Sequence, residues 1–166
     1  MPHPTDHAAA PYRIVIAASM LLLQFAMGMG FLAAAPLFPL IIDRFGVDNA
    51  TVSLLVGVSS LAVAVALVPA SILAARLGSK WSLVVGGLLM AGTALSPLAA
   101  SFAVLLATRV SFAIGAAITL SGTPGVVLRW FPTRELALIN GANVVAQSLG
   151  VTTSMILGPR IAPALG

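Results

Sequence analysis

Residues 50–75 read ATVSLLVGVSSLAVAVALVPASILAA, and this run contains no charged side chain. At a rise of 1.5 Å per residue, a helix over this run is about 39 Å long, whereas the hydrocarbon core of a bilayer is about 30 Å thick. A membrane β-strand needs only about 10 residues and alternates apolar with polar side chains, which this run does not do. The stretch therefore predicts a transmembrane α-helix.

The whole chain is also rich in hydrophobic residues and poor in charged ones. Of the 166 residues, 60% are hydrophobic and 7% are charged, and the mean hydropathy is +1.11. A soluble domain carries roughly 25% charged residues because they cover its surface. This composition excludes a cytosolic enzyme and a disordered chain, and the lack of cysteine excludes a disulfide scaffold. The outer surface of the protein must therefore contact a lipid bilayer.

Four further runs are long and apolar enough to cross a bilayer, or nearly so: residues 14–42, 81–100, 102–128 and 136–163. The first of these runs is broken near its end by Pro36 and Pro39. The segments between the runs are short and leave no room for a soluble domain. The fold predicted for residues 13–166 is an all-α polytopic membrane helix bundle with five transmembrane helices. Residues 1–12 are predicted to form a disordered cytoplasmic tail.

Other classes of function find little support in the sequence. The net charge is +4, but the basic residues are scattered and form no stripe that would bind nucleic acid. The chain has no cysteine, no carboxylate within a predicted span and no phosphate-binding glycine loop. We therefore predict no catalytic residue, no cofactor and no metal site.

Arg109 is the most informative single residue, because it lies about 10 Å along its predicted span, counted from residue 102. A cation at the centre of a bilayer costs about 2.5–3.5 kcal/mol on insertion scales. Two interpretations stay open. Arg109 either faces a solute pathway and binds an anion there, or it reaches the outer headgroups or the carbonyls of a helix end. Thr119 and Thr123 lie toward the same side of the predicted helix.

A polar stripe runs along the last predicted span. Asn140, Asn143, Gln147 and Ser154 share an arc of about 60° at 3.6 residues per turn. Such a stripe faces protein or water, so it either lines a solute cavity or forms hydrogen bonds between helices. Gln24 stands alone near the middle of the first predicted span and has the same two interpretations.

The turn after the second predicted span resembles a motif of the major facilitator superfamily. Residues 71–80 read SILAARLGSK, against the family form G-x-L-A-D-R-x-G-R-K. Arg76, Gly78 and Lys80 fit this form, whereas Ser71 replaces the glycine and Ala75 replaces the aspartate. Arg109 with the small residues after it resembles helix four of the family. Residues 129–150, RWFPTRELALINGANVVAQSLG, resemble the link into helix five.

The resemblance implies the first five helices of a secondary transporter that works by alternating access, with its site at the interface of two six-helix halves. Its solute would be small and polar, and Arg109 favours an anionic one. In the family, helices one and four line the pathway, which favours Gln24, Arg109, Thr119 and Thr123. The polar stripe of helix five adds Asn143 and Gln147. The turn with Arg76, Gly78 and Lys80 corresponds to the gating loop.

The family needs more helices than this chain contains. We therefore expect a fragment whose partners are the missing C-terminal half or other membrane helices. The alternative is a small non-transporting assembly or regulatory subunit of the membrane.

The orientation follows from the basic residues of the connecting segments, because cytoplasmic loops are rich in Lys and Arg. With the N-terminus inside, the outer side keeps only Arg44. The cytoplasmic side then contains five basic residues: Arg13, Arg76, Lys80, Arg129 and Arg134. We expect an integral protein of the bacterial inner (plasma) membrane with a cytoplasmic N-terminus.

Cysteine labelling tests this orientation, since the chain has no cysteine of its own. Single cysteines at Asp48 and Ser101 should react with a membrane-impermeant maleimide from outside intact cells. Cysteines at Ser79 and Thr133 should react only after the cells are opened. The reverse labelling pattern would contradict the predicted orientation.

Overall fold

The computed structural model describes the backbone of residues 10–165 and the side chains of residues 12–160. Residues 1–9 of the predicted tail lie outside this part of the chain, and residues 10–12 belong to the first helix. Within residues 10–165, nine helical elements follow one another: α1 (Ala10–Phe31), a 3₁₀ helix (Ala35–Leu37), α2 (Phe38–Phe45), α3 (Asn49–Leu77), α4 (Ser79–Ala91), a 3₁₀ helix (Gly92–Leu98), α5 (Phe102–Trp130), a 3₁₀ helix (Thr133–Glu135) and α6 (Leu136–Leu165).

Four helical segments are long and apolar enough to cross a membrane: Tyr12–Phe45, Asn49–Leu77, Ser79–Leu98 and Phe102–Trp130. The fifth, α6, is long enough with 30 residues, but its polar stripe makes it less apolar. No β-strand occurs among residues 10–165. The predicted all-α polytopic bundle is therefore confirmed.

Two capping side chains and one glycine set the ends of the spans. Asp48 accepts a hydrogen bond from the backbone N–H of Thr51 (2.8 Å) and begins α3. Hydrogen bonding by the side chain and the backbone of Thr51 lowers the pKa of the Asp48 carboxyl. Ser101 caps α5 in the same way through the N–H of Val104. Gly78 has a φ of +78°, which permits the abrupt turn from α3 into α4.

The first membrane segment is interrupted, and its interruption begins earlier than the two prolines that predicted it. We expected the break near Pro36 and Pro39, but α1 already ends at Phe31. Pro36 lies in the 3₁₀ helix and Pro39 in the first turn of α2. Proline lacks an N–H and clashes with the carbonyl four residues before it, so the regular ladder stops one turn upstream. The last carbonyls of α1, including that of Gly30, are thus left without helical donors.

Glycine allows the closest helix approaches. On α1 and α6, a Cβ at Gly28 would overlap the carbonyl oxygen of Gln147, and a Cβ at Gly150 would overlap that of Phe25. On α4 and α5, a Cβ at Gly86 would lie 2.7 Å from the Gly115 oxygen, and the reciprocal distance is 2.6 Å. Lipid supplies no hydrophobic force that drives helices together, so close backbone packing at such crossings stabilises the bundle.

The bundle consists of two closely packed groups. Helix α1 packs mainly on α6, whereas α5 packs mainly on α3 and α4. Helices α1 and α6 run in parallel, because Arg13 forms an ion pair with Glu135 at one end and Pro36 contacts Gly158 at the other. At the opposite end from Glu135, Arg44 donates a hydrogen bond to the carbonyl of Pro97 (3.2 Å), which links α2 to the segment after α4.

The glycine crossing predicts a difference between two alanine substitutions on α6. Gly150→Ala should lower the free energy of unfolding by about 1–3 kcal/mol, because the new methyl group overlaps the α1 backbone. Gly141→Ala is the matched control, since a Cβ there meets nothing within 4 Å. The free energies of unfolding of both purified variants are measured in mixed micelles that contain an increasing fraction of a denaturing detergent. Equal stability of the two variants would contradict the crossing.

Candidate functional site

A cavity of about 540 Å³ lies between the two groups of helices. Its walls come from α1, α4, α5 and α6 and from the segments that follow α1 and α4. Most of the lining is apolar and includes Leu23, Met90 and Phe112, whereas Thr93, Arg109 and Ser154 are its polar residues. This volume falls within the range of about 300–1,000 Å³ that is typical of small-molecule sites, and an apolar wall with few polar groups is also typical.

Arg109 is the charged residue of this cavity. It is only 7% exposed, and its Nη1 donates a hydrogen bond to the carbonyl oxygen of Gly30 at 3.0 Å. That oxygen is free because α1 ends at Phe31. The Nε of Arg109 is buried and has no partner among the described residues. One nitrogen of Arg109 thus donates to a carbonyl at a helix end, while the side chain also lines the cavity. The structure is therefore compatible with both interpretations, a helix anchor and an anion-binding residue.

No carboxylate neutralises Arg109 among the described residues. Asp43 and Asp48 lie around the turn between α2 and α3, and Glu135 lies at the opposite end of the bundle, where it pairs with Arg13. A guanidinium in a medium of low dielectric constant is stabilised strongly by a nearby anion. The cavity therefore combines an apolar wall with one uncompensated positive charge.

Ser154 was missed as a candidate for the site, although the polar stripe included it. It is buried, lines the cavity with Arg109, and donates its hydroxyl to the carbonyl of Val151 at 2.9 Å. The periodicity of α6 placed Ser154 on the correct arc. It could not show that this end of the arc, rather than the end near Asn143, opens into the cavity.

The amides of the predicted site lie outside the cavity lining. Asn143 is 4% exposed and Gln24 is also buried. Asn143 precedes Gln147 by four residues and Gln24 precedes Gly28 by four, so both share a helix face with a residue of the α1–α6 contact. Both amide atoms of Asn143 and the Oε1 of Gln24 lack partners among the described residues. Gln147 packs its backbone against Gly28. Their contribution to a solute pathway stays a prediction.

Neither of the two predicted threonines of α5 faces the cavity, and Thr119 packs against α4. Thr119 is completely buried against Gly86, and Thr123 donates its hydroxyl to the carbonyl of Thr119 at 2.8 Å. A Cβ at Gly86 would overlap the hydroxyl of Thr119, which shows how closely the two helices approach. Neither threonine lines the cavity. Their predicted place in the pathway also remains untested.

The predicted gating loop forms the turn between α3 and α4, far from Arg109 along the chain. Arg76 lies in the last turn of α3, Gly78 makes the turn, and Lys80 lies in the first turn of α4. Both basic side chains are exposed, and the Nζ of Lys80 lies 6.0 Å from the ring centre of Trp81. Among the described residues, no three His, Asp or Glu side chains come together as a metal site would require.

The comparisons with known proteins agree with the fold and with the motifs. The family model of the Major Facilitator Superfamily matches residues 20–166, which include most of α1 and every later helix. A comparison with the curated proteins finds no significant match, and neither does one with the solved structures. Because the matched region covers nearly the whole chain, the resemblance inferred from the sequence is confirmed. The chain belongs to the major facilitator superfamily and is an integral membrane protein of a family of transporters.

Proposed function

We propose that this chain is part of a secondary active transporter that moves a small, polar, anionic solute by alternating access. The observation that supports the solute class is Arg109, a buried cation that lines an apolar cavity without a carboxylate partner among the described residues. A bound carboxylate or phosphate would restore the missing charge balance through the planar guanidinium fork.

The position of the cavity supports the mechanism. It lies where α1 and α6 face α4 and α5, and these two groups share few contacts with each other. Family members alternate between two states by rocking structural repeats around a central site. In our proposal the missing C-terminal half closes the cavity on the side that this chain leaves open. The turn with Arg76, Gly78 and Lys80 acts as the gate between the states.

The proposed location is a bacterial inner membrane with the N-terminus in the cytoplasm. The bias of basic residues toward one end of the bundle supports this orientation. Arg13 contacts Glu135, and its guanidinium carbon lies 5.4 Å from the ring centre of Phe131, so Arg13 lies at the same end of the bundle as Arg129 and Arg134. This clustering supports the proposed orientation.

The test is Arg109→Lys, which keeps the charge but loses the fork that binds an anion with two parallel hydrogen bonds. We expect small carboxylates and inorganic phosphate to stabilise the wild-type chain in nanodiscs against heat. In the variant their apparent affinity should fall by about 10-fold to 100-fold, the value of one charge-assisted hydrogen bond. Thermal unfolding monitored by tryptophan fluorescence over an anion titration measures this change.

Arg44→Lys is the matched control. Arg44 also donates to backbone carbonyls, those of Pro97 and Ala99, but it lies outside the cavity. The control should keep the wild-type response to anions. If Arg109→Lys lowered the melting temperature but left the anion affinity unchanged, Arg109 would be only a helix anchor. The non-transporting subunit would then become the better hypothesis.

A further inference from the structure

A cationic patch lies at the end of the bundle that carries the gating loop, and it consists of Arg76, Lys80 and Arg129. All three side chains are exposed. Arg76 lies in the last turn of α3 and Lys80 in the first turn of α4, so the abrupt turn at Gly78 brings both cations to the same end of the bundle.

Helix α5 brings the third cation to the same place. A Cβ at Gly125 would overlap the hydroxyl of Ser79, so the end of α5 touches the start of α4. Arg129 follows Gly125 by four residues and thus extends from the same face of α5, about 6 Å further along the helix axis. The three cations of the patch therefore come from the ends of three helices, α3, α4 and α5, which the fold brings together.

The patch has no carboxylate partner among the described residues. Glu135 is the carboxylate described at this end of the bundle, and it pairs with Arg13 and with Arg134 at 3.7 Å. Asp43 and Asp48 lie at the other end. In the resembled motif an aspartate precedes Arg76, but Ala75 stands there in this chain. The positive charge of the patch is thus available to an external anion.

An apolar stripe continues from the patch along the outside of α4. Trp81 is 57% exposed, Val84 is 42% exposed and Leu88 is 69% exposed. Their spacing of three and four residues places them on one face of the helix, above one another. A soluble anion or an acidic peptide would match only the cations. A molecule with an anionic head and a hydrocarbon tail matches both parts of this surface.

We propose that the cationic patch and the apolar stripe form a binding site for an anionic phospholipid. The phosphate of the headgroup lies between Arg76, Lys80 and Arg129, and one acyl chain follows Trp81, Val84 and Leu88. Trp81 sits at the boundary, where the amphipathic indole ring prefers the headgroup level of a bilayer. This site is distinct from the cavity of Arg109 and does not depend on the identity of the transported solute.

Quenching of Trp81 by brominated lipids tests the proposal directly. The chain has two tryptophans, so Trp130→Phe leaves Trp81 as the one reporter. This variant is reconstituted into bilayers of phosphatidylcholine and phosphatidylglycerol in which one or the other lipid carries brominated acyl chains. Comparison of the two quenching curves at matched mole fractions gives the ratio of binding constants at Trp81. We expect the ratio to favour phosphatidylglycerol clearly.

Charge removal should lower this ratio by roughly fivefold per residue for Lys80→Gln and for Arg129→Gln. Arg134→Gln is the matched control, because it removes the same charge at the same end of the bundle but next to Glu135. It should leave the ratio unchanged. Circular dichroism checks that each variant keeps its helix content.

Three results would overturn the proposal. A ratio of one in the parent protein would show that the site has no preference for the anionic lipid. An equal loss in Arg134→Gln would assign the preference to the general surface potential. Relief of quenching by inorganic phosphate, but not by chloride at the same ionic strength, would assign the patch to a soluble anion.

Discussion

The bundle depends on how closely two backbones can approach in a solvent that offers no hydrogen bonds. In hydrocarbon, a helix satisfies its own backbone and gains nothing from a neighbour except contact and a few polar interactions. The crossings at Gly28 and Gly150 and at Gly86 and Gly115 supply that contact. Large apolar side chains such as Leu22 and Leu138 remain exposed, as a lipid-facing surface requires. Small residues thus occupy the closest helix crossings, while many large apolar side chains face outward.

The same constraint explains why the spans were predictable and their details were not. Long uncharged runs report the helices directly, since no soluble fold tolerates them. The end of α1 at Phe31 is different, because it depends on how Pro36 and Pro39 are accommodated together. The 3₁₀ segment Gly92–Leu98 likewise contains Pro97, and the regular helix stops at Ala91, six residues before this proline.

Helical periodicity in the sequence predicted some residues of the candidate site, but it could not predict their contacts. Arg109 and the polar stripe of α6 were found because polar groups are costly in a span. The carbonyl that binds Arg109 lies 79 residues away and is free only because α1 breaks. A helical wheel puts Thr119 toward the same side of α5 as Arg109. In the structure its hydroxyl nevertheless packs against Gly86 in the interface with α4. Which polar side chains reach the cavity depends on the neighbouring helices, and the periodicity of a single helix contains no information about them.

The pairing of α1 with α6 has a consequence for how the protein is made. Arg13 and Glu135 are separated by 122 positions in the chain, and the glycine contacts of the same two helices join residues that are similarly far apart. During synthesis α1 therefore enters the membrane before α6, the helix that packs against Gly28, and α3, α4 and α5 are made between the two. In that interval α3, α4 and α5 can assemble with one another through their own contacts. Insertion of α6 is then the step that gives α1 its main packing partner, and until that step α1 stays in contact with lipid or with the insertion machinery.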